Sequence, residues 1–316
     1  MTEQLSPAAR LRTLIAAHAG DGSGGPLVMP CCFDALSARL IESAGFALTF
    51  MSGYAVSAAR LGLPDTGLIS YGEMLDQGRS ICAAVSIPVI GDADTGYGNP
   101  VNAKRSVRGY AQGGFAAIMI EDQVWPKRCG HTRGKQVVAR AEAVARVQAA
   151  VDAREEGADI LILARTDARA THGLDEALAR AQAFKEAGAD ILFVEAPTSE
   201  DEMRRICAEV PGAHLANMVE DGATPFLAPA RLAGLGYRIV AYPVTLLRAA
   251  IKAMAASLED IGAGNHPHER LIDFAESCAG WSASTTTTPR RRATARRRAK
   301  NPSAAPRSSA GRVRIA

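Results

Sequence analysis

A short unit recurs along this chain and constrains its fold more than any other feature. In each copy a helical stretch ends at a glycine and an apolar run follows within a few residues, as at Gly45, Gly114, Gly157, Gly188 and Gly236. Glycine tolerates the left-handed backbone conformation that commonly ends a helix. A short apolar run after such a glycine is typical of a strand in a parallel sheet. The repeat therefore predicts strands and helices that alternate along the chain.

The apolar runs number eight. They cover residues 27–29, 47–51, 87–91, 116–120, 160–164, 191–194, 214–216 and 238–241. Amphipathic stretches such as 141–154 and 174–187 separate most of them, 244–258 is predicted to close the structure, and 260–280 is a further helical candidate. Eight strands alternating with helices predict an α/β fold, a (β/α)8 TIM-type barrel with extra C-terminal helices. A doubly wound open sheet is the alternative, but no GxGxxG motif follows the first strand.

Charge is distributed unevenly between the body and the C-terminus. The chain has 36 Lys and Arg against 33 Asp and Glu, and residues 283–316 hold ten of the basic residues and no acid. The remaining 26 basic and 33 acidic residues give 1–282 a net charge of −7. We expect a barrel catalytic domain over 1–282 and a disordered basic tail over 283–316, because the tail has no apolar periodicity. Nucleic acid would bind only non-specifically, through this tail.

The sequence also bears on the compartment. No apolar stretch approaches the roughly 20 residues that cross a bilayer. The N-terminus, with Glu3, shows no apolar signal region. Six scattered cysteines without metal-finger spacing are typical of reduced thiols rather than of a disulfide framework. These features predict a cytoplasmic protein without a membrane partner.

Polar residues follow six successive predicted strands. In a barrel the carboxyl ends of all strands open to one shared mouth, where the chemistry of such enzymes takes place. A purely structural pattern is not expected to repeat at six strand ends. The residues are Ser52 after the second strand, Asp92 and Asp94 after the third, Glu121 after the fourth, Arg165 after the fifth, Glu195 after the sixth and Asn217 after the seventh.

Asp92 and Asp94 begin a glycine-rich turn directly after the third strand. Carboxylate oxygens are the ligands that hard cations such as Mg²⁺ prefer. Glu121 and Asp65 supply further carboxylates. The alternative is a turn in which the aspartates only cap the backbone; we interpret the cluster as a metal site.

Cys129 lies among cations in the run Lys127-Arg128-Cys129-Gly130-His131. Neighbouring cations favour the thiolate form of a cysteine, and a glycine lets the backbone approach a ligand closely. His131 is a candidate for orienting a substrate carboxylate, or else a loop histidine satisfied by backbone. Most cysteines are small buried hydrophobes, but this polar setting favours a catalytic thiol. The other cysteines and histidines are assigned structural roles.

Three further positions suit anion binding. An arginine such as Arg165 can hold a carboxylate with two hydrogen bonds, although an ion pair with Asp167 or Glu195 is the alternative, and both roles are compatible. Ser52-Gly53 offers a hydroxyl and backbone N–H groups, or else forms an ordinary turn. Asn217 is a candidate for contacting a second carboxylate, or else begins a capped helix.

These motifs, in this order, resemble those of the isocitrate lyase / phosphoenolpyruvate mutase superfamily, from about residue 30 to residue 258. The resemblance favours the branches of methylisocitrate lyase, 2,3-dimethylmalate lyase, the oxaloacetate hydrolase and petal-death group, and proteins labelled carboxyvinyl-carboxyphosphonate phosphorylmutase. The motifs that support it are Ser52-Gly53, Leu63-Pro64-Asp65, residues 91–98, Glu121-Asp122-Gln123, residues 127–131, Ala164-Arg165-Thr166-Asp167, Glu195-Ala196 and Asn217.

The resemblance implies a (β/α)8 barrel, a Mg²⁺ or Mn²⁺ site, a small-molecule carboxylate substrate, and a homotetramer that exchanges a C-terminal helix between subunits. It implies that Asp92 ligates the metal, that Asp94 and Glu121 hold its waters, and that Cys129 protonates the leaving carbanion. Asp65 would lie between those waters and the substrate. The expected roles are catalytic for Lys127, Cys129, His131 and Arg165, substrate-binding for Ser52, Gly53, Tyr54, Asp65, Gly130, Glu195 and Asn217, and metal-binding for Asp92, Asp94 and Glu121.

Three features distinguish the chain from some members of this superfamily. Tyr54 stands where methylisocitrate lyases tend to have glycine, which implies a reshaped pocket. Residues 194–197 are more similar to the dimethylmalate lyase and hydrolase branches. The tail over 283–316 differs from the ordered C-termini that are usual in the family.

We therefore expect a Mg²⁺-dependent carbon–carbon lyase that cleaves a small 2-hydroxy di- or tricarboxylate, of the 2-alkylmalate or methylisocitrate type, to a 2-keto acid and a carboxylate. An oxaloacetate hydrolase or decarboxylase is the first alternative. A carboxyphosphonoenolpyruvate phosphonomutase is the second, and the K-x-C-G-H pattern argues against it, because phosphonate mutases typically have a different loop. A non-catalytic barrel that binds nucleic acid or an acidic partner through its tail belongs to another class, and the acidic cluster argues against it.

Overall fold

In the computed structural model, which describes residues 5–18, 25–130 and 134–275, the strands form one closed parallel barrel. Strand order follows chain order, and the barrel closes where Leu27 of the first strand pairs with Ile239 of the eighth. The predicted barrel is confirmed. The strands are β1 (Leu27–Cys32), β2 (Thr49–Met51), β3 (Val89–Asp92), β4 (Ala117–Glu121), β5 (Leu161–Thr166), β6 (Ile191–Val194), β7 (Ala213–Asn217) and β8 (Tyr237–Tyr242).

Helices connect successive strands on the outside of the barrel. Within the described residues they are α1 (Pro7–Ala17), α2 (Ala35–Ser43), α3 (Gly53–Leu61), α4 (Tyr71–Ala84), α5 (Pro100–Gln112), α6 (Arg140–Glu155), α7 (Ala168–His172), α8 (Leu174–Glu186), α9 (Glu200–Glu209), α10 (Pro229–Leu235) and α11 (Thr245–Gly262), followed by a 3₁₀ turn at His268–Arg270. Most start at a polar N-cap. At α4, for example, the Ser70 hydroxyl accepts from the Glu73 N–H while the Glu73 carboxylate accepts from the Ser70 N–H.

The five glycines of the sequence repeat all adopt a left-handed conformation. Their φ angles lie between 87° at Gly45 and 110° at Gly157. A side chain would strain the backbone there. Glycine recurs in the sequence because each of these helix-to-strand connections requires a positive φ angle.

Two apolar layers form the core. Inward side chains such as Met29, Phe50 and Leu163 fill the barrel, and Leu11 of α1 belongs to the same cluster, so α1 covers the N-terminal end. Outward side chains of the strands, such as Ile118 and Ile162, pack against the surrounding helices. The carboxyl-terminal end of the barrel is left for a site.

The C-terminal region differs from the prediction. The helical element expected over 260–280 is wrong for residues 263–267, since α11 ends at Gly262 and the chain is not helical again before the 3₁₀ turn. Gly264 has a φ of 78°, and Pro267 lacks an N–H, so neither favours a continuous helix.

The predicted tail over 283–316 lies outside the described residues. Within the described ranges, no helix has the length and apolar character needed to span a membrane.

Candidate active site

A cavity of about 310 Å³ opens at the carboxyl ends of the strands. Its apolar wall includes Phe50, Met119, Phe193 and Leu215, which belong to the cluster inside the barrel. Its polar wall consists mostly of residues predicted for the site. Those that line it are Ser52, Tyr54, Asp65, Asp92, Lys127, Cys129, Gly130, Arg165, Glu195 and Asn217.

Asp92, the last residue of β3, is held by two backbone N–H groups. Its Oδ2 accepts from the Gly53 nitrogen at 3.2 Å, and its Oδ1 accepts from the Asp94 nitrogen at 3.0 Å. A Cβ on Gly53 would lie only 2.6 Å from Asp92 Oδ2. The glycine therefore lets the start of α3, which Ser52 caps, approach the carboxylate.

Lys127 forms a buried triad with two carboxylates. Its ammonium nitrogen lies 2.5 Å from Asp65 Oδ1 and 2.8 Å from Asp94 Oδ1. Burial opposes the lysine charge, but the surrounding carboxylates raise the pKa of Lys127 well above its ordinary value. Burial raises the pKa of Asp94 to about 7, and repulsion from Asp92 and Asp65 adds to the effect of burial while Lys127 opposes it. The lysine that was expected to favour the thiolate of Cys129 thus pairs with two carboxylates, and its catalytic assignment stays a prediction.

Arg165 lies at the centre of three carboxylates. Its Nε lies 2.8 Å from Asp167 Oδ2, and its Nη1 and Nη2 lie 3.3 Å from Glu121 Oε2 and Glu195 Oε2, respectively. Burial raises the pKa of Glu121 well above its usual range, and Arg165 opposes that shift. The guanidinium also stands 5.3 Å from the centre of the Phe193 ring. The ion pairs considered from the sequence are present, and Arg165 still lines the cavity.

Glu195, one of the three partners of Arg165, also contacts Asn217. Asn217 Nδ2 donates to Glu195 Oε2 at 3.2 Å, and the Ala196 N–H donates to Glu195 Oε1 at 2.8 Å. These contacts orient the Asn217 amide at the cavity wall.

The Gln123 side chain holds the loop that contains Cys129 through two hydrogen bonds with the Arg128 backbone. Gln123 donates to the Arg128 carbonyl at 2.8 Å and accepts from the Arg128 N–H at 3.0 Å. Cys129 is partly exposed and lines the cavity. A Cβ on Gly130 would lie 2.5 Å from both Arg165 Nη2 and Glu195 Oε2. His131 lies outside the described residues, so its assignment stays a prediction.

The carboxylates of this site would bind a hard cation partly by direct contact and partly through water. Among the described residues, no three His, Cys, Asp or Glu side chains are arranged to hold a metal ion. Asp94 Oδ2 and Glu121 Oε1 are buried without a hydrogen-bond partner in the described part of the chain, and Asp92 lines the cavity. Mg²⁺ is commonly bound by one or two carboxylates directly while it keeps several waters. This donor set fits that pattern, with other carboxylates contacting the waters.

Sequence reasoning missed two polar groups of this region. Arg248, in α11, lines the cavity and pairs with Asp221 at 2.8 Å. Lys135 lies behind the cavity and pairs with Asp167 at 2.7 Å. Neither residue directly follows a strand, so the search for polar residues at strand ends did not identify them. The only sequence signal for Lys135 was its proximity to the Cys129 motif.

Comparison with known proteins identifies the family. Residues 20–262 match the family described as phosphoenolpyruvate phosphomutase. The chain is 48% identical over 250 residues to 2,3-dimethylmalate lyase of Eubacterium barkeri, covering 79% of this chain and 84% of the relative. It is 44% identical over 235 residues to 2-methylisocitrate lyase of Aeropyrum pernix, covering 74% and 75%. A solved structure of oxaloacetate acetylhydrolase with the inhibitor 3,3-difluorooxalacetate matches with a TM-score of 0.81 at 32% identity, covering 87% and 93%.

The chain therefore belongs to the phosphoenolpyruvate phosphomutase family, within the isocitrate lyase / phosphoenolpyruvate mutase superfamily. It is an enzyme, and its similarity to two named lyases makes it a carbon–carbon lyase of this superfamily. The family expected from the motifs is confirmed.

Proposed function

We propose that the protein is a Mg²⁺-dependent lyase that cleaves a small 2-hydroxy di- or tricarboxylate of the 2-alkylmalate or methylisocitrate type. The observation that supports this function is the set of groups around one cavity of about 310 Å³: a carboxylate from Asp92, a guanidinium from Arg165, an amide from Asn217 and a thiol from Cys129. The volume is near the lower end of the range for small-molecule sites, about 300–1,000 Å³.

Asp92 would hold the metal directly, and Asp94 and Glu121 would hold its waters. The bound cation would supply positive charge at a substrate oxygen on which negative charge develops. Arg165 and Asn217 bind substrate carboxylates and fix the substrate against the cavity wall. Lys127 keeps the carboxylates of Asp65 and Asp94 together beside Asp92.

In the reaction, the substrate hydroxyl loses its proton to a base and becomes the carbonyl of a 2-keto acid as the adjacent carbon–carbon bond breaks. The electron pair of that bond passes to the second fragment, an enolised carboxylate. The thiol of Cys129 donates its proton to that carbon. The products are a 2-keto acid and a carboxylate.

An oxaloacetate hydrolase is the second candidate, and the likeness to oxaloacetate acetylhydrolase favours it. A panel of 2-alkylmalates, methylisocitrate and oxaloacetate, incubated with the protein and Mg²⁺, distinguishes the two. Release of a 2-keto acid from an alkylmalate or methylisocitrate supports the lyase. If oxaloacetate is the only compound of the panel that reacts, and it yields oxalate, the lyase proposal is overturned in favour of the hydrolase.

A homotetramer is part of the proposal. One face of α11 exposes Ile251, Met254, Leu258 and Ile261, at helical spacing. A second copy of the chain would remove this apolar stripe from water. Leu258→Glu should lower the molar mass measured by light scattering, whereas Val101→Glu, an exposed apolar position on α5, should not. An unchanged mass for Leu258→Glu would show that α11 is not an interface.

A further inference from the structure

Lys135 lies on the returning limb of the loop that contains Cys129. The base of this loop is closed by antiparallel pairing of Gln123 with Val137, and the Val124 N–H donates to the Gln136 carbonyl at 2.9 Å. Cys129 and Gly130 lie on the outgoing limb. The pairing fixes the base of the loop, and Gly130 lies away from this base, where the Lys135 side chain contacts it.

The Lys135 ammonium makes two contacts that join separate elements. It donates to the Gly130 carbonyl oxygen, and it lies 2.7 Å from Asp167 Oδ1 at the end of β5. The side chains of Lys135 and Asp167 are 3% and 0% exposed. Because water is excluded, the loss of one of the two cations that pair with Asp167 would not be replaced by solvent.

Both partners of the Lys135 ammonium, Gly130 and Asp167, in turn lie against Arg165. Asp167 accepts from Arg165 Nε at 2.8 Å and from Arg165 Nη2 at 3.1 Å. The backbone of Gly130 packs so closely on the Arg165–Glu195 pair that no Cβ would fit between them. Lys135 therefore connects the loop of Cys129 to the carboxylate-binding arginine through Gly130 and through Asp167.

We propose that Lys135 is a positioning residue that sets the distance between the Cys129 thiol and Arg165. This inference rests on the proposed lyase function, since it assigns Cys129 and Arg165 to one reaction. Lys135 itself is absent from the lining of the cavity among the described residues. It acts through Gly130 on the loop and Asp167 directly after β5, and it holds these two residues together.

Lys135→Met tests the role because methionine keeps an unbranched apolar stem as far as the ε carbon but removes the ammonium. Lys104→Met is the matched control, because Lys104 pairs with Glu156 at 2.6 Å on the outside of the barrel. Turnover is measured with the substrate that the panel identifies. The rate at which iodoacetamide alkylates Cys129, followed by the mass of its peptide, reports the position of the thiol without any substrate.

We expect Lys135→Met to lower kcat by about 10–100-fold, with a smaller change in KM, because a displacement of about 1 Å at reacting groups has effects of this size. The alkylation rate of Cys129 should change by about threefold or more, because the reactivity of a thiol depends on the charges around it and on its exposure. Lys135→Arg, which keeps a charged donor for both partners, should recover part of both properties. Lys104→Met should match the wild type in both.

Wild-type kcat and wild-type alkylation in Lys135→Met would overturn the proposal. So would a loss of thermal stability with an unchanged alkylation rate, because Lys135 would then only neutralise Asp167. If Lys135→Met is insoluble, Lys135→Gln is measured in its place with the same two outcomes. If the wild type turns over no member of the panel, the proposed function fails, while the alkylation comparison still decides the role of Lys135.

Discussion

The ammonium nitrogen of Lys127 lies 2.8 Å from Asp94 Oδ1, and the two side chains are 4% and 1% exposed. Asp65 completes the arrangement from the loop between α3 and α4. The lysine charge compensates two buried acids and thereby fixes the start of the loop that leads to Cys129. A buried ion pair of this kind matters most when one partner is lost, because the other charge then remains in the interior.

Lys127→Met should therefore lower the free energy of unfolding by about 3–5 kcal/mol, the usual cost of removing one member of a buried pair. Arg60→Met is the control, since Arg60 pairs with Asp76 at the same distance of 2.8 Å but near the surface; its cost should be about 0–1 kcal/mol. Denaturant titration of both variants at neutral pH measures the difference. Equal costs would mean that the buried triad stabilises the fold no more than a surface ion pair does.

Cys129→Ser should lower turnover by about 10²–10⁴, the contribution of a general acid–base group, because a hydroxyl is a far weaker acid than a thiol. Its melting temperature should stay close to that of the wild type. Cys207→Ser, which changes a cysteine of α9 outside the cavity lining, should retain turnover. Wild-type turnover in Cys129→Ser would remove the thiol from the mechanism.

Asp92→Asn should abolish both turnover and the stabilisation of the protein by Mg²⁺. A ligand at about 100 times its Kd stabilises the folded state by about 2.7 kcal/mol, which a thermal shift with and without chelator detects. Asp76→Asn, at an exposed carboxylate on α4, should keep the full response to Mg²⁺. A thermal response to Mg²⁺ that persists in Asp92→Asn would show that the cation binds elsewhere.

The strands and the residues at their ends could be predicted from sequence because the signals are local. A glycine at the end of a helix and an apolar run behind it lie within a few residues of each other, and barrel geometry then brings Asp92, Arg165 and Asn217 to one mouth. The helical element predicted over 260–280 is interrupted at residues 263–267, where Gly264 has a φ of 78° and Pro267 lacks an N–H.

The partners of the charged groups could not be predicted in the same way. Lys127 and Asp65 are 62 positions apart, and their contact depends on how the loop after α3 packs against the loop after β4. A cation two residues before a cysteine suggested that it acts on the thiol. The contacts of Lys127 in the structure are with Asp65 and Asp94, because nearby negative charge stabilises an interior ammonium. Its assignment as a catalytic residue stays a prediction.

Gly53→Ala should impair the site without unfolding the barrel. The added Cβ would lie 2.6 Å from Asp92 Oδ2 and 3.0 Å from Asp92 Cγ, so the carboxylate has to move. A displacement of about 1 Å at such a group lowers turnover by about 10². Gly234→Ala is the control, because no atom lies within 4 Å of its Cβ position and alanine favours its helix. Wild-type turnover in Gly53→Ala would show that Asp92 tolerates displacement.

Glu176 provides a pH-dependent stabilisation away from the cavity. Its hydrogen bonds with Arg140, and further contacts with Arg180, lower the pKa of Glu176 from 4.5 to about 2 against the opposing effect of burial. A carboxyl group whose pKa is lower in the folded state stabilises the fold above its unfolded pKa, and this stabilisation is lost as the pH falls through the folded pKa. The window of loss is therefore from about pH 4.5 down to about pH 2.

Glu176→Gln should thus be less stable than the wild type by about 1–2 kcal/mol at pH 7, below the full value of the pKa shift because solvent partly screens the side chain. The gap should narrow at pH 3.5, where the wild type begins to lose the contribution that the variant never had. Denaturant titrations at pH 7, 5 and 3.5 measure it, with Glu155→Gln as the control, since its nearest arginine nitrogen is 3.9 Å away and its side chain is 67% exposed. A gap of the same size at all three pH values would show that the charge of Glu176 does not stabilise the fold.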